Sequence, residues 1–376
     1  MKKKVLILTN KMVVGGVEKA LINILQNIDI KKYQITVALP NKGGEFEKLI
    51  PHYIEKKYLY NFDVSKLNKF KSLILEYFLL LAPGWLCNQI FIRDKYDICI
   101  AYSANMIYQI KGFEGEKICW IHDNYFPFGT RNNIRGNFRK KRTINYMKSC
   151  KRVICVSSRL KSLLKSYSED RLNNIVVLRN PVNIKDIEDK SYENINEINV
   201  PDCIKLISVG RLDKIKGYDR LISICNKLKI KGYKFNLWII GGGTEYETLN
   251  NLIKQYDLCK EVQLLGEQIN PYKYLKKSDI FVCSSYKEGY STAISEAVIL
   301  KNAIISTDCG GSDEILDYGK YGIITKNNED DLLVGIERLL KDKGLINYYK
   351  EMSNERKKIF NISENIKNIE EILDRR

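Results

Sequence analysis

The chain has 376 residues, of which 44% are hydrophobic and 28% are charged, so a largely disordered protein is excluded and a folded chain of two domains is expected. Its formal net charge of +17 favours anionic partners such as nucleic acid, an acidic membrane surface or phosphorylated ligands, although a lysine-rich composition would give the same total. Ten cysteines without a Cys-x-x-Cys pair and only two histidines argue against a zinc site and indicate the reducing cytoplasm.

The first half of the chain alternates short apolar runs with helical patterns. The opening run, Val5–Leu8, is too short for a signal peptide and is expected to be a buried strand. A glycine turn and the helical segment "VEKALINILQNI" follow it. Further strand-like runs in this half are "YQITVALP", "YDICIAYS", "KICWIHD" and "RVICVSS".

A second series of the same kind occupies the other half, with the runs "IKLISVG", "FNLWIIGGG", "EVQLLG", "DIFVCSS" and "NAIISTD". Continuous, β-branched runs separated by helices are typical of parallel strands that are buried on both faces. The expected fold class is therefore α/β, with two doubly wound Rossmann-like domains facing a cleft.

The longest apolar stretch is "LILEYFLLLAPGWLCNQIFI", residues 73–92, which contains a single acidic residue. Its length would allow a membrane span. Pro83 and Gly84 interrupt it, however, which favours an interfacial or core pair of helices.

The domain boundary is expected in the polar and charged stretch after "RNPV", where the proline biases Asn180 away from helix. We predict an N-terminal acceptor-binding domain over 1–183 and a linker over 184–202. A C-terminal nucleotide-sugar-binding domain is predicted over 203–354. The remaining residues, 355–376, are expected to form a helix that packs back on the N-terminal domain.

Ligands of open parallel sheets bind beyond the carboxyl ends of the strands, so the residues that follow each strand are the candidates for chemistry. In the first half, Gly15 and Gly16 open a helix after the first strand, which suits an anion, although a tight turn explains them equally well. His122 and Asp123 follow "KICWI". A histidine there can hydrogen-bond a ligand or transfer a proton, and the alternative is a core histidine.

In the second half, Arg211 lies just beyond a strand and Lys216 follows it immediately before a glycine and a helix. Two such cations could hold a diphosphate, with arginine forking onto two oxygens, or they could lie in a solvated loop. The glycine run that begins at Gly241 lets backbone approach a ligand closely.

The segment "YKEGYSTAISEA" places Glu288 and Glu296 on either side of a predicted helix start near Ser291 or Thr292. A helix start offers unpaired N–H groups to an anion. Glu296 lies one turn beyond Thr292 on the same face, whereas Glu288 lies on the loop, so the two carboxylates need not form an acid/base couple. A capped surface turn is the alternative.

The combination of these motifs resembles glycosyltransferase family four, whose members are retaining, nucleotide-sugar-dependent enzymes with the two-domain GT-B fold. The matching segments are "GGVEKA", "WIHD", "VSS" at 156–158, "NPV", "VGRLDKIKGYDRLI", the glycine run, and "EGYSTAISEA" followed by "STDCGGSDEIL". They span essentially the whole chain, and those of the second half are the most characteristic.

The resemblance implies roles for the matching residues. Arg211 and Lys216 would hold the donor diphosphate, and Glu288 would contact the donor sugar. Glu296 would bind the ribose, and His122 would hydrogen-bond the transferred sugar. Of these five residues, all except Glu296 are the expected catalytic residues. Further substrate-binding residues are expected at Gly15, Gly16, Glu18, Asp123, Gly241, Gly289, Tyr290, Ser291, Thr292 and Ala293.

The same resemblance implies front-face retention, in which the leaving diphosphate helps to deprotonate the acceptor, with no metal and no cofactor. The expected donor is a UDP-sugar carrying a hexose or N-acetylhexosamine. The expected acceptor is a lipid-linked sugar or polysaccharide in bacterial surface polysaccharide synthesis, such as capsule or lipopolysaccharide. Many family members have proline where this chain has "YSTA", so donor preference cannot be read from that turn.

A basic stretch in the first half, residues 130–152, contains nine Arg or Lys among 23 residues and no acid. An anionic leaflet attracts such a segment. We therefore expect a cytoplasmic enzyme that is peripheral at the inner face of the cell membrane; an exposed basic helix without membrane contact is the alternative.

Three other classes of protein were weighed. An NAD-type oxidoreductase would need a three-glycine fingerprint after the first strand, which "NKMVVGGVEKA" lacks. A nucleic-acid-binding protein would need stacking or helix-turn-helix signals, so no nucleic acid partner is expected. A sugar phosphorylase or synthase of similar fold remains the nearest alternative.

Overall fold

The computed structural model describes residues 2–122, 134–195 and 202–374. Within these ranges the chain divides into two compact units. Unit 1 comprises 1–181 together with 363–376, and unit 2 comprises 182–362. Each unit is built around one parallel β-sheet with helices packed on it.

Unit 1 has a seven-stranded sheet in the order β3-β2-β1-β4-β5-β6-β7, and every pair of neighbours is parallel. Its strands are β1 Lys3–Leu8, β2 Tyr33–Leu39, β3 Glu55–Tyr58, β4 Ile98–Ala101, β5 Glu116–Ile121, β6 Arg152–Cys155 and β7 Ile175–Val177. Its helices are α1 Gly16–Asn27, α2 Lys69–Leu81, α3 Gly84–Phe91, α4 Ile107–Ile110, α5 Ile134–Lys148 and α6 Ser158–Tyr167.

Unit 2 has a six-stranded parallel sheet in the order β10-β9-β8-β11-β12-β13. Its strands are β8 Ile204–Val209, β9 Phe235–Ile240, β10 Val262–Leu264, β11 Ile280–Cys283, β12 Ala303–Thr307 and β13 Ile323–Thr325. Its helices are α7 Ile184–Ser191, α8 Tyr218–Ile230, α9 Tyr246–Gln255, α10 Tyr272–Lys277, α11 Thr292–Ile299, α12 Ser312–Ile315, α13 Glu329–Lys341 and α14 Lys343–Arg356.

Strands β4, β9, β11 and β12 are buried along their whole length, as β9 illustrates with the sequence FNLWII. Helices cover both faces of such a sheet, so apolar residues are favoured at every position rather than at alternate ones. The predicted fold class, two doubly wound parallel α/β units, is confirmed.

The expected linker and the expected C-terminal helix fold as follows. The first eight residues of the expected linker form α7, whose Ile187 is buried in unit 2; residues 196–201 lie outside the described ranges. The final helix, α15, spans Ile362–Asp374. Its Glu370 accepts a hydrogen bond from the backbone N–H of Asp29 at 3.0 Å, and Lys3 donates to the carbonyl of Leu373 at 2.8 Å.

The apolar stretch 73–92 folds as α2 and α3, which meet at 118°. Within the described ranges, no single helix has the length and apolar character needed to cross a membrane, although this bent pair reaches them together.

Candidate active site

The strand order of unit 2 reverses between β8 and β11, which are neighbours in the sheet but not in the chain. Open α/β sheets bind ligands beyond the carboxyl ends of the strands at such a switch point. Here the loop after β8 carries Arg211 and Lys216, and the loop after β11 carries Glu288.

Lys216 and Glu288 are brought together as an ion pair, with Nζ and Oε1 2.7 Å apart and both side chains largely buried. Burial by itself would lower the pKa of Lys216, but the adjacent Glu288 carboxylate outweighs it and raises that pKa above its usual value. The lysine is therefore a permanent cation. The Ser285 hydroxyl donates to the same Oε1 at 2.7 Å.

The loop that carries Lys216 is shaped by its own side chains. Asp213 accepts hydrogen bonds from the backbone N–H groups of Ile215 and Lys216 at 3.1 and 3.2 Å, which caps a short 3₁₀ turn. Gly217 then adopts φ +64°, and a Cβ on it would lie 2.3 Å from the Ser284 carbonyl oxygen. Only glycine therefore allows the two loops to approach this closely.

Arg220 of α8 holds the loop that carries Glu288. This buried guanidinium donates from Nε to the Ser284 carbonyl at 2.8 Å and from Nη2 to the Ser285 carbonyl at 2.8 Å. It also lies 3.9 Å from the centroid of the Tyr286 ring. Arg220 thus fixes the backbone just before Glu288, which marks it as a positioning residue.

The thiols of Cys283 and Cys309 lie 3.9 Å apart beneath this loop. The carbonyl of Cys309 accepts from the backbone N–H of Glu288 at 2.6 Å. The hydrogen bond with the Cys309 thiol lowers the pKa of Cys283, against the opposing effect of burial. All ten cysteines are free, and eight are buried, where they pack as small apolar groups.

The second glutamate of the predicted site has a different neighbourhood. The helix α11 begins at Thr292, with Ser291 as its N-cap, as predicted. Glu296 is buried on this helix and accepts a hydrogen bond from the Tyr272 hydroxyl at 3.2 Å. Burial and then the Glu296 charge raise the pKa of Tyr272, so its hydroxyl keeps the proton it donates.

The glycine run beginning at Gly241 serves packing. A Cβ on Gly241 would lie 1.9 Å from the Gly210 carbonyl oxygen, and a Cβ on Gly243 would lie 2.3 Å from that of Leu212. The amide of Leu212 in turn donates to the carbonyl of Gly242 at 2.8 Å. The glycines therefore let this loop approach the β8 loop, and the predicted contact of Gly241 with a ligand stays a prediction.

Arg211 projects from the β8 loop with 70% of its side chain exposed, and its Nη2 lies 3.2 Å from Asp213 Oδ2. An exposed pair of this kind is weak and readily exchanged for a stronger anion. Arg211 is therefore available to a ligand, as the diphosphate role requires. Glu288 is paired with Lys216, the second predicted cation.

Unit 1 has its own switch point between β1 and β4. Gly15 and Gly16 lie beyond β1, where a Cβ on Gly15 would collide with the Glu18 carboxylate at 2.3 Å. Tyr102 follows β4 and is buried; burial chiefly, and then the charge of Glu18, raises its pKa. The predicted glycine turn and Glu18 therefore lie at the same sheet edge as Tyr102. Asp123, also predicted, lies outside the described residues.

His122 follows β5 and is 8% exposed. Its ring stacks parallel to that of Trp120, at 5.7 Å between centroids, and lies 4.5 Å from that of Tyr102. Asn180 and the Tyr102 backbone lie close enough to the ring to offset part of the effect of burial on its pKa. Across the described ranges, however, neither ring nitrogen, the Tyr102 hydroxyl nor Asn180 Oδ1 has a hydrogen bond of good geometry. Buried polar atoms rarely stay unpaired, so this edge of unit 1 is suited to a polar ligand or to water.

Burial lowers the pKa of His122 to about 3, far below the value of about 6.5 expected in the unfolded chain. Between these values the unfolded state binds the extra proton, so the free energy of unfolding falls as the pH is lowered from about 6.5 towards 3. At pH 5 the loss is expected to be about 2 kcal/mol. Denaturant unfolding at pH 7.5 and 5.0 measures this loss of stability.

His122→Gln should remove the pH-dependent loss of stability, whereas His52→Gln, at the exposed second histidine, should retain it. Equal pH dependence in both variants would contradict the assignment of the loss to His122.

Several residues of these sites escaped sequence reasoning. Tyr102 comes directly after a predicted strand, so the rule that selected His122 could have selected it. Arg220 lies within the segment "VGRLDKIKGYDRLI", but nothing in that motif singled it out. Tyr272, the first residue of α10, lies in no quoted motif. Among the described residues, no group of three His, Cys, Asp or Glu side chains is arranged to hold a metal ion.

Two parallel α/β units and a charged switch point are typical of the glycosyltransferases of GT-B fold. HepE from Anabaena, solved in complex with UDP and glucose, has the same fold, with a TM-score of 0.77, 17% identity and 99% of each chain covered. Two family models match almost the whole chain in turn, Glycosyltransferase Family 4 over residues 14–186 and Glycosyl transferases group 1 over 192–359. The chain belongs to glycosyltransferase family four.

Two curated relatives show how far the similarity extends. The N-acetylgalactosamine-N,N'-diacetylbacillosaminyl-diphospho-undecaprenol 4-alpha-N-acetylgalactosaminyltransferase of Campylobacter jejuni is 33% identical over 186 residues, 49% of each chain. An uncharacterized glycosyltransferase of Haemophilus influenzae is 24% identical over 370 residues, 94% of each chain. The chain therefore matches about half the length of the Campylobacter relative.

Proposed function

We propose that this protein transfers a hexose or N-acetylhexosamine from a UDP-sugar to a lipid-linked or polysaccharide acceptor, with retention of anomeric configuration. The observation that carries the proposal is the buried Lys216–Glu288 pair at the switch point of unit 2, where the pair lies 2.7 Å apart. A permanent cation beside a carboxylate can bind a diphosphate and a sugar hydroxyl side by side.

Each group of the unit 2 site has a part in donor binding. Lys216 and the exposed Arg211 neutralise the diphosphate, and the free N–H groups at the start of α11, over 291–293, face an anion favourably. Glu288 accepts hydrogen bonds from the sugar, and Glu296 accepts them from the ribose. In unit 1, the proposed sugar-binding residue is His122, which is neutral at physiological pH and can therefore donate or accept a hydrogen bond.

The chemical step breaks the bond between the anomeric carbon and the diphosphate oxygen. The acceptor hydroxyl oxygen forms its bond to that carbon on the same face, and its proton passes to the departing diphosphate. Negative charge grows on the diphosphate as the bond breaks, and the cations of Lys216 and Arg211 stabilise it. These residues require no proton transfer of their own.

The acceptor assignment draws support from outside unit 2. The Campylobacter relative is named for a diphospho-undecaprenol acceptor, which is a lipid-linked sugar. The basic stretch 130–152 and the net charge of +17 suit anionic lipid phosphates. We place the enzyme on the cytoplasmic side of the cell membrane, in the synthesis of surface polysaccharide.

The decisive experiment is calorimetric binding of a nucleotide-sugar panel, followed by transfer assays with the donors that bind. UDP and at least one UDP-hexose or UDP-N-acetylhexosamine should bind, and NADH should not. The absence of binding by every nucleotide sugar would refute the proposed function. Analysis of the product anomer by NMR tests retention separately.

Replacing Glu296 by glutamine should weaken donor binding while leaving the chemical step largely intact. The amide can accept only one pair of hydrogen bonds where the carboxylate offers two oxygens to adjacent ribose hydroxyls. KM for the donor should rise by about 10-fold, the cost of one charged hydrogen bond, with kcat changed by much less. Steady-state kinetics measure both parameters. A fall in kcat with unchanged KM would indicate that Glu296 acts at the reacting sugar instead.

A further inference from the structure

The outward side of α2 carries apolar side chains where a surface helix normally carries charges. Phe70 is 70% exposed, and exposed residues recur after it at the spacing of one helical face. Trp85, on the following helix α3, is 64% exposed. We call this surface the α2–α3 apolar face; its members are Phe70, Leu73, Ile74, Phe78, Leu81 and Trp85.

The inward side of α2 is apolar as well, with Leu79 and Leu80 buried. A helix that is apolar all round belongs inside a protein or in contact with lipid. An open groove of about 650 Å³ runs beside its outward side, lined mainly by Phe62, Leu67, Leu75 and members of the α2–α3 apolar face. Exposed apolar area of this extent marks an interaction site.

The helix that carries the face is fixed to the rest of unit 1. Lys111 donates to the carbonyl of Leu79 at 2.6 Å, and the Tyr146 hydroxyl of α5 donates to that of Leu80 at 3.3 Å. Arg139 of α5 pairs with Glu76 at 2.6 Å. Glu76 is the only acidic residue in α2, so its ion pair with Arg139 neutralises the one negative charge of that helix.

Basic residues border the α2–α3 apolar face. Helix α5, which contacts α2 through Arg139 and Tyr146, has six basic residues among its 15 and no acid. Lys66 and Lys71 line the groove itself, together with Asp63, whose carboxylate lies 3.7 Å from Lys11 Nζ. An apolar face bordered by cations matches the interface of a bilayer that contains anionic lipids.

We propose that the α2–α3 apolar face inserts into the interfacial layer of an anionic membrane, with the basic side chains of α5 lying against the lipid headgroups. The surrounding cations favour this occupant over a second copy of the chain, which would oppose positive charge to positive charge. The proposal adds to the proposed function only the place where a lipid-linked acceptor is met. It is otherwise independent of donor chemistry.

Trp85 makes the proposal directly measurable, because the chain has three tryptophans and the other two, Trp120 and Trp238, are buried. Vesicles of phosphatidylcholine with about one-third phosphatidylglycerol should shift its emission to the blue, since the indole leaves water. Lipids brominated on the acyl chain should quench it. Trp85→Phe should abolish both signals, and pure phosphatidylcholine vesicles should give weaker ones.

The variant Phe70→Gln/Phe78→Gln should lower vesicle partitioning by about 10-fold or more, since it removes apolar area from the inserted face. Ile230→Gln/Ile269→Gln is the control, because these apolar residues of unit 2 are at least as exposed as Phe70 and Phe78, and it should partition like the parent. Both variants should keep the parent's melting temperature and its UDP affinity.

Three results would overturn the proposal. The first is an emission of Trp85 that anionic vesicles leave unchanged, and the second is equal partitioning of the two double variants. The third is a lipid-free dimer that Phe70→Gln/Phe78→Gln dissociates, which would assign the face to a second copy. UDP-sugar binding by the parent, measured without vesicles, tests the proposed function separately, so either idea can fail while the other stands.

Discussion

Glu288→Gln is expected to lower the rate of sugar transfer by about 10²- to 10³-fold, the usual cost of removing one group that acts on the reacting centre. The amide can replace the carboxylate sterically and can still accept from the Ser285 hydroxyl, which now donates to Oε1 at 2.7 Å. The charge next to Lys216 is lost, however. The loop backbone should survive, because Arg220 and Cys309 hold it through carbonyl contacts that do not involve the Glu288 side chain.

Glu288→Gln should not weaken nucleotide binding although it slows transfer. This difference between the two measurements distinguishes the substitution from a general loss of structure. In the unliganded protein the Glu288 carboxylate competes with a diphosphate for the Lys216 ammonium. Removing the carboxylate frees that cation, so UDP should bind at least as tightly as in the parent. Calorimetry with UDP and transfer assays measure the two effects. Glu247→Gln, at an exposed acid of the same unit, is the matched control and should change neither.

A fall in UDP affinity parallel to the loss of rate would show that Glu288 serves to position Lys216 rather than to bind sugar. Full turnover in Glu288→Gln would remove Glu288 from the site. The companion variant Lys216→Met should lose both UDP affinity and rate, because it removes the cation and leaves a buried carboxylate unpaired.

The sequence predicted the central strands well because each is buried on both faces. All ten predicted runs are strands in the structure, whereas β3, β7 and β13 were missed. These three lie at sheet edges and are short. β3 has the sequence EKKY and is half exposed. An edge strand is hydrogen-bonded on one side only, and few of its side chains pack into the core. Its polar composition resembles that of a loop, so periodicity could not reveal it.

The sequence identified several residues of the candidate site but not the contacts between them. Post-strand position selected Lys216, Glu288 and His122 without any knowledge of their contacts, because parallel strands end at a common edge. That Lys216 pairs with Glu288 could not be read from the sequence, since 72 residues separate them. The role of Gly241 in ligand binding stays a prediction; what the sequence did not reveal is that this glycine also allows close approach to the β8 loop.

Arg220→Lys is expected to destabilise unit 2 by about 2–3 kcal/mol and to impair transfer, although it conserves the charge. The guanidinium forks onto the Ser284 and Ser285 carbonyls and stacks on the Tyr286 ring at 3.9 Å. An ammonium lacks the planar fork, so at least one buried carbonyl is left unpaired, at about 1–3 kcal/mol for each. The loop that ends at Glu288 would then lose the anchor that fixes its entry.

Because Arg220 acts through the loop, its loss should be visible in more than activity. Denaturant unfolding should give the lower stability, and transfer kinetics should give a reduced kcat with a smaller change in the affinity for UDP, since Lys216 and Arg211 lie on the β8 loop. Arg338→Lys, at an exposed arginine of α13, is the matched control and should leave both measurements unchanged. If Arg220→Lys kept the parent's stability and kcat, the guanidinium would not be the group that positions Glu288. Thr307 would then be the next residue to replace, because its hydroxyl donates to the Ser285 carbonyl at 2.7 Å.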